Sequence, residues 1–154
     1  MTLTELLDSD LVLPKTPCAS KDELISKMVD RIYSINKDFP IPQEEILKAI
    51  YLREKIGGTL LPSGLSVPHA RQKEYEKDFI IALATPMQPI FHEGIQVRLM
   101  ALMISNKTGG PHYLPTVTAL TKISMDAEYL SRLCDAETPE DFIFILEEKD
   151  HELA

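Results

Sequence analysis

The chain has 154 residues, the size of one compact domain, and its 44% apolar and 26% charged residues are typical of a globular protein. Sixteen Lys and Arg against 24 Asp and Glu leave a net charge of −8, which argues against nucleic-acid binding through phosphates. Eight acids and one lysine lie within residues 135–154, so the acidic excess is concentrated at the C-terminal end.

The cysteines and the apolar runs indicate a compartment. Cys18 and Cys134 form no CxxC motif or disulfide framework, which fits a reducing environment. The first residues lack the basic start and long apolar stretch of a signal peptide, and the most apolar run, Leu99–Ile104, is too short to span a bilayer. We therefore expect a cytoplasmic domain without direct membrane insertion.

The N-terminal part predicts a lead-in followed by a helix. Residues 1–19 are expected to be irregular, because prolines such as Pro14 interrupt any helix. Ser20 is a plausible N-cap, and Glu23 completes a capping box three residues later. Apolar residues then recur at helical spacing to about Asn36, which predicts one amphipathic helix.

A second helix is predicted next. Pro42 suits its first turn, and Ile46 and Ile50 lie on its apolar face. Gly57 and Gly58 are expected to end this helix, because glycine is favoured at helix C-termini. The same pair lacks the lysine and the spacing of a phosphate-binding P-loop, so a C-cap explains it better.

The middle of the chain predicts a sheet. Thr59–His69 is dense in Gly, Pro and Ser and indicates a loop-rich rim with one or two short strands. Phe79–Thr85 and Val97–Ile104 are almost continuously apolar, as in strands covered on both faces. Gln88–Glu93 is expected to add an edge strand, and Asn106–Pro111 to form a glycine-rich turn.

The C-terminal part predicts three helices. The third helix is expected to bury Leu114, Val117 and Leu120, and a short helix follows near Ala127–Leu133. The last helix begins at the N-cap Thr138, which a proline and two acids follow. Helices, strands and helices around one sheet predict a single α/β or α+β layered domain over residues 1–154, with a tail at 150–154.

His69 is the residue most suggestive of chemistry. It follows Gly64-Leu65-Ser66-Val67-Pro68 at the end of a short predicted strand, and Pro68 stiffens the chain before it. A rigid histidine at such a position suits a nucleophile, a base or a ligand. The alternative is a surface histidine in a structural turn.

Two hydrolytic interpretations have weaker support. The segment 64–68 is one residue away from a G-x-S-x-G nucleophile elbow, but no apolar helical face follows its serine. His69, His92 and His112 could formally hold zinc for a metal-dependent hydrolase, although no pair has short metal-ligand spacing. We therefore predict neither a metal nor a cofactor.

Two arginines flank this segment. Arg53 and Arg71 carry the planar group best suited to binding a phosphoryl group, although either could be a solvated surface residue. The segment between them, ends included, has a net charge of +2, so the overall acidity does not extend to this part of the chain.

Three segments together resemble the active-site signature of the fructose- and mannitol-type enzyme IIA domain: Arg53-Glu54-Lys55, Gly58-Thr59 and Gly64-Leu65-Ser66-Val67-Pro68-His69-Ala70. This family belongs to the bacterial phosphoenolpyruvate-dependent phosphotransferase system and includes nitrogen-regulatory IIA proteins. Its pattern is approximately R-E, a short spacer, G-x-T, then G-[IL]-A-[IV]-P-H. The resemblance covers nearly the whole chain and implies a mixed central sheet flanked by helices on both faces.

By this resemblance, His69 would be the phosphoryl acceptor and Arg53 would stabilise the phosphoryl charge. The group would come from the phosphohistidine of the carrier HPr and pass to a cysteine of a IIB partner. That partner would serve a membrane IIC permease, which together with IIB sets the sugar. A regulatory protein that binds targets according to its phosphorylation state is the alternative.

The chain departs from the family pattern at two places. Ser66 stands where the family usually has alanine, which adds a hydroxyl near the site. The family also has a second active-site histidine at the start of the third helix, where the register here gives Tyr113, with His112 one residue earlier. We favour His112 as the second histidine, since Pro115 could displace the helix start, and Tyr113 as its hydrogen-bonding replacement is the alternative.

Overall fold

The computed structural model describes residues 1–72, 79–106, 111–150 and Leu153. Within these residues a short helix and a first strand are followed by two helices, then six strands, then three helices, and a short 3-10 turn, Ser9–Leu11, precedes the first strand. The helices are α1 Leu3–Leu6, α2 Lys21–Ile35, α3 Gln43–Ile56, α4 Tyr113–Met125, α5 Ala127–Asp135 and α6 Pro139–Glu148. The strands are β1 Val12–Thr16, β2 Leu65–Ser66, β3 His69–Arg71, β4 Phe79–Pro86, β5 Ile90–His92, β6 Ile95–Val97 and β7 Leu99–Ser105.

The main sheet is mixed. Its order is β1-β4-β7-β2, and β3 also pairs with β7 beyond the end of β2. The two long strands β4 and β7 are antiparallel, whereas β1 runs parallel to β4, and β2 and β3 run parallel to β7. The predicted mixed central sheet is therefore confirmed.

Two hydrophobic cores lie on opposite faces of this sheet. Alternate residues of the long strands point to opposite sides, as the twofold period of a strand requires. Leu83 and Met103 face the core that α4, α5 and α6 cover, whereas Ala82 and Leu102 face the core under α2 and α3. All seven residues of β7 are buried, which confirms the prediction that continuous apolar runs form a strand covered on both faces.

Local signals fix most helix ends. The Ser20 side chain accepts a hydrogen bond from the backbone N–H of Glu23 at 3.1 Å, and the Glu23 carboxylate accepts one from the N–H of Ala19. Thr138 caps α6 in the same way through the N–H of Asp141. These hydrogen bonds satisfy N–H groups that have no partner within the helix, so the predicted helix starts are confirmed.

The expectation for the N-terminal residues was wrong. Residues 1–19 are not irregular, because they contain α1 and β1, and Val12 pairs with Leu83 in the main sheet. Most of the expected tail 150–154 lies outside the described residues, but Leu153 is buried and its N–H donates to the carbonyl of Met1 at 2.8 Å.

Two further expectations need correction, and one falls outside the description. Segment Gln88–Glu93 contributes β5, which pairs with β6 in a separate two-stranded sheet and not with the edge of the main sheet. Leu114 is 71% exposed, because α4 is rotated so that it buries Thr116 and Leu120. The middle of the predicted glycine-rich turn, residues 107–110, is outside the described residues.

No helix in the described part of the chain is long and apolar enough to cross a bilayer.

Candidate functional site

His69 is placed by the sheet itself. It is the first residue of β3, opposite Met103 of β7, and not a loop residue. The preceding Pro68 has no N–H, but its carbonyl accepts a hydrogen bond from the N–H of Met103 at 2.9 Å. Although β2 and β3 are separate strands, the backbone just before His69 therefore stays hydrogen-bonded to the central strand β7.

The imidazole of His69 is hydrogen-bonded inside the protein. Its Nε2 lies 2.7 Å from Oγ of Ser105, the last residue of β7, and the side chain as a whole is nearly buried. The Ser105 hydroxyl donates its one hydrogen to the carbonyl of Asn106 at 3.1 Å, so toward His69 its oxygen acts as the acceptor. Ser105 was missed from sequence; the available signal was a hydroxyl residue that closes a run of six apolar residues.

Tyr113 covers the other side of this site. Its ring stacks on the His69 ring with centroids 4.3 Å apart and planes 16° from parallel. Tyr113 is the first residue of α4, whereas His112 is the N-cap residue and does not line the cavity around His69. The structure thus brings Tyr113, and not His112, against His69.

Two guanidinium groups share the cavity with the imidazole. Arg53 comes from the last turn of α3, where its Nη1 donates to the carbonyl of Gly57 at 3.3 Å. Arg71 follows His69 by two positions on β3, and its Cζ lies 5.3 Å from the centroid of the Tyr113 ring. Residues two apart on a strand point to the same side, so His69 and Arg71 are neighbours on one face.

The cavity has a volume of about 360 Å³ and reaches the surface. Its walls combine polar side chains with apolar ones from α3. The lining residues are Ala49, Leu52, Arg53, Ile56, Thr59, His69, Ala70, Arg71 and Tyr113. The His69 side chain is therefore accessible from the surface through this cavity.

The electrostatic setting keeps His69 neutral. Burial lowers the pKa of its imidazole to about 4, with further lowering by the positive charges of Arg71 and Arg53. Near pH 7 the ring is uncharged, and a neutral imidazole is a nucleophile. The same two positive charges would stabilise a negatively charged group bound to the ring.

A buried ion pair connects the elements around the site. Glu54, beside Arg53 in sequence, pairs with Lys21 of α2, and the two side chains are only 7% and 3% exposed. The Thr59 hydroxyl donates to the other oxygen of the Glu54 carboxylate at 2.8 Å, and its Oγ1 lies 3.5 Å from Oγ of the buried Ser66. These contacts tie α2, the end of α3 and the loop before β2 together.

Within the described part of the chain, His92 and His112 do not form a metal site with His69. His92 lies on β5 and lines a different depression, beside Lys21 and Tyr51. Across residues 1–72, 79–106 and 111–150, no three His, Cys, Asp or Glu side chains are placed to hold a metal ion. The chain after Ser66 continues through Pro68 into a strand, which is not the strand-to-helix turn of a nucleophile elbow.

A mixed sheet between two helical layers makes the chain an α/β domain, and one cavity of it is lined by His69, Arg53 and Arg71 together. Residues 5–149 match the family described as phosphoenolpyruvate-dependent sugar phosphotransferase system, EIIA 2, and the chain belongs to this family. The resemblance seen in the sequence motifs is therefore confirmed.

Two curated relatives illustrate the range of the family. The chain is 30% identical over 154 residues to the PTS system 2-O-alpha-mannosyl-D-glycerate-specific EIIABC component of Escherichia coli K12, covering 97% of this chain and 23% of that protein. It is 26% identical over 156 residues to the nitrogen regulatory protein of the same organism, covering 95% of this chain and 90% of that protein. The chain thus spans less than a quarter of the first relative and most of the second.

Solved structures share the fold. The crystal structure of IIA mannitol from Escherichia coli superposes with a TM-score of 0.73 at 19% identity, covering 91% of this chain and 98% of that one. The nitrogen regulatory protein IIA-Ntr from Neisseria meningitidis gives a TM-score of 0.72 at 20% identity, with 94% and 98% covered. These comparisons confirm the predicted α/β fold with helices on both faces of the sheet.

Proposed function

We propose that the chain acts as one EIIA domain that carries a phosphoryl group on His69 from phospho-HPr to a IIB cysteine during sugar uptake. The observation that carries this proposal is that His69, whose pKa is lowered to about 4, lines an open cavity together with Arg53 and Arg71. Such a ring can attack phosphorus without first losing a proton, and the arginines suit the charge that arrives with the group.

The chemistry needs no cofactor. A lone pair of His69 attacks phosphorus; the new N–P bond forms as the bond to the donor imidazole breaks, and the electron pair of that bond returns to the donor ring. The His69 ring releases the proton of its other nitrogen and the donor ring takes up a proton, so both rings end neutral. In the second step a cysteine thiolate forms an S–P bond, the N–P bond to His69 breaks, its electron pair returns to the His69 ring, and that ring takes up a proton from solvent. In both steps Arg53 donates charge-assisted hydrogen bonds to the phosphoryl oxygens.

The surface around the cavity suits protein partners. Leu52 and Ile56 line the cavity yet are 59% and 76% exposed, and Leu114, next to Tyr113, is 71% exposed. Exposed apolar side chains around a reactive group are typical of docking sites. The structural relatives include a complex of enzyme IIA mannitol with phosphorylated enzyme IIB mannitol, with a TM-score of 0.74 at 17% identity, covering 93% of this chain and 98% of that one. We propose a IIB partner here, HPr on the same surface, a IIC permease beyond IIB, and a cytoplasmic location.

A regulatory role is the second candidate. It is supported by the match to nitrogen regulatory proteins over most of their length. In that role, phosphorylation of His69 would change which protein the surface around the cavity binds, because it would add a group with close to two negative charges to a neutral ring.

Phosphorylation by purified components tests the proposal. The protein is incubated with enzyme I, HPr and phosphoenolpyruvate, and we expect an acid-labile, base-stable phosphate that His69→Ala abolishes. His92→Ala is the matched control, because His92 lies outside the cavity, and it should be labelled like the wild type. An unlabelled wild-type protein, or a labelled His69→Ala variant, would refute the carrier role.

Addition of a IIB domain separates the two candidates. A transport protein should lose its phosphate to the IIB cysteine within seconds to minutes, so that label appears on IIB. If label stays on His69 in the presence of several IIB domains, and phosphorylation instead changes binding to another protein, the regulatory role is favoured.

A further inference from the structure

Arg71 stands out because the family signature does not include it, yet it lies in the same cavity as His69 and Arg53. The segments that carry the family resemblance end at Ala70, and the resemblance assigns the phosphoryl charge to Arg53 alone. Arg71 is the next residue along β3, on the same side of the strand as His69. Its positive charge lowers the pKa of His69 more than that of Arg53 does, which is consistent with this closeness.

The ring of Tyr113 is positioned to hold Arg71. It packs on the His69 ring at 4.3 Å between centroids and lies 5.3 Å from the Arg71 Cζ. A guanidinium that interacts with an aromatic ring keeps its N–H groups in its own plane, where they remain available to other acceptors. A phosphoryl group on His69 would arrive beside these donors.

We propose that Arg71 is a second phosphoryl-binding residue of this site, which donates hydrogen bonds to the phosphoryl oxygens on His69 while Tyr113 positions its guanidinium. The inference rests on the proposed carrier function. A phosphoryl group on a histidine carries close to two negative charges near neutral pH, and Arg53 and Arg71 together would balance them.

The test must separate phosphoryl binding from docking of a partner, since Arg71 is exposed at the surface. Arg71→Gln and Arg71→Lys are compared with wild type and with Arg31→Gln, a matched control. Arg31 is an exposed arginine of α2 that pairs with Asp10 and does not line the cavity. Unfolding in urea checks that all variants are folded.

Two readouts are measured. The first is the initial rate of phosphorylation by phospho-HPr, which we expect to fall about ten- to hundredfold in Arg71→Gln, as for loss of a charged hydrogen bond. Arg71→Lys keeps the charge without the planar fork and should lose less. The second readout uses isolated phosphoprotein with no partner present: the ³¹P resonance of phosphohistidine is followed against pH, and Arg71→Gln should raise the pKa of the phosphoryl group.

The outcomes distinguish this inference from the proposed function. Wild-type protein that takes no phosphate on His69 refutes the carrier role itself. If wild type is labelled but Arg71→Gln matches Arg31→Gln in both readouts, Arg71 does not bind the phosphoryl group. A slower rate from phospho-HPr with an unchanged ³¹P titration would make Arg71 a docking residue only, and would also overturn the inference.

Discussion

The Nε2 atom of His69 lies 2.7 Å from the Oγ of Ser105, and this hydrogen bond joins the ends of two neighbouring parallel strands. Both side chains are buried, so water does not compete for the contact. The ring is also stacked on Tyr113, and the two contacts together fix the plane of the imidazole, which under the proposed carrier function is the plane in which His69 would meet phosphorus. Positioning of this kind contributes to catalysis because it removes orientations that cannot react.

Ser105→Ala should slow phosphorylation of His69 without removing the nucleophile. Loss of one neutral hydrogen bond corresponds to about a two- to tenfold lower initial rate with phospho-HPr. Ser124→Ala is the control, because it removes another buried serine hydroxyl, one that is bonded to Ser63 and lies away from the cavity. Equal rates for the two variants, at similar stability, would show that the Ser105 contact has no positioning role.

The low pKa of His69 predicts a specific pH dependence. With a pKa of about 4, the ring should stay neutral from pH 8 down to about pH 5 and gain its proton below that. An NMR titration measures this pKa from the His69 ring resonances, which are assigned because they disappear in His69→Ala. The unfolded chain takes up this proton near pH 6.5. The contribution of His69 to folding stability is therefore fully present above pH 6.5 and is lost as the pH falls from 6.5 to 4. Arg71→Gln should raise the pKa of His69, because it removes one of the positive charges that lower it. An unchanged pKa of His69 in this variant would show that Arg71 does not contribute to the lowering.

Local signals predicted much of the fold. The cap at Ser20, the cap at Thr138 and the continuous apolar run that became β7 each depend on residues close together in sequence. Strand β1 was missed because Pro14 argues against regular structure. Yet β1 lies at an edge of the sheet, where a residue without an N–H is tolerated because one side of the strand has no partner.

The residues of the candidate site also fall into two groups, those that a local motif predicted and those that only the fold brings together. His69 and Arg53 were found through motif spacing within a short segment. Ser105 is 36 residues from His69, and only the register between β3 and β7 brings them together. The choice between His112 and Tyr113 depended on where α4 begins, and helix boundaries are the least certain part of a sequence-based prediction. The structure begins α4 at Tyr113, whose ring then reaches His69.

Variants of Tyr113 should show that its ring matters more than its hydroxyl. The contacts that it makes with His69 and Arg71 are both made by the ring, so Tyr113→Phe should keep the phosphorylation rate within about threefold of wild type. Tyr113→Ala should lose both contacts and be slower than Tyr113→Phe. His92→Gln serves as the control, because His92 lines a different depression, and it should stay near wild type. Equal losses in Tyr113→Phe and Tyr113→Ala would instead assign the role to a hydroxyl that bonds the phosphoryl group.

The buried pair Lys21–Glu54 should be a major contributor to stability at the base of the site. Glu54→Gln leaves the charge of Lys21 buried without its partner, which costs about 3–5 kcal/mol in such pairs. The control is Glu148→Gln, which breaks the pair with Arg132 at the surface and should destabilise the fold much less, because water screens that pair. Urea unfolding measures both, with a lower midpoint and an unchanged slope expected for Glu54→Gln. A double variant, Lys21→Met with Glu54→Gln, should recover part of the loss, since it removes the unpaired charge. If Glu54→Gln is no more destabilising than Glu148→Gln, the contact does not hold α2, α3 and the loop before β2 together.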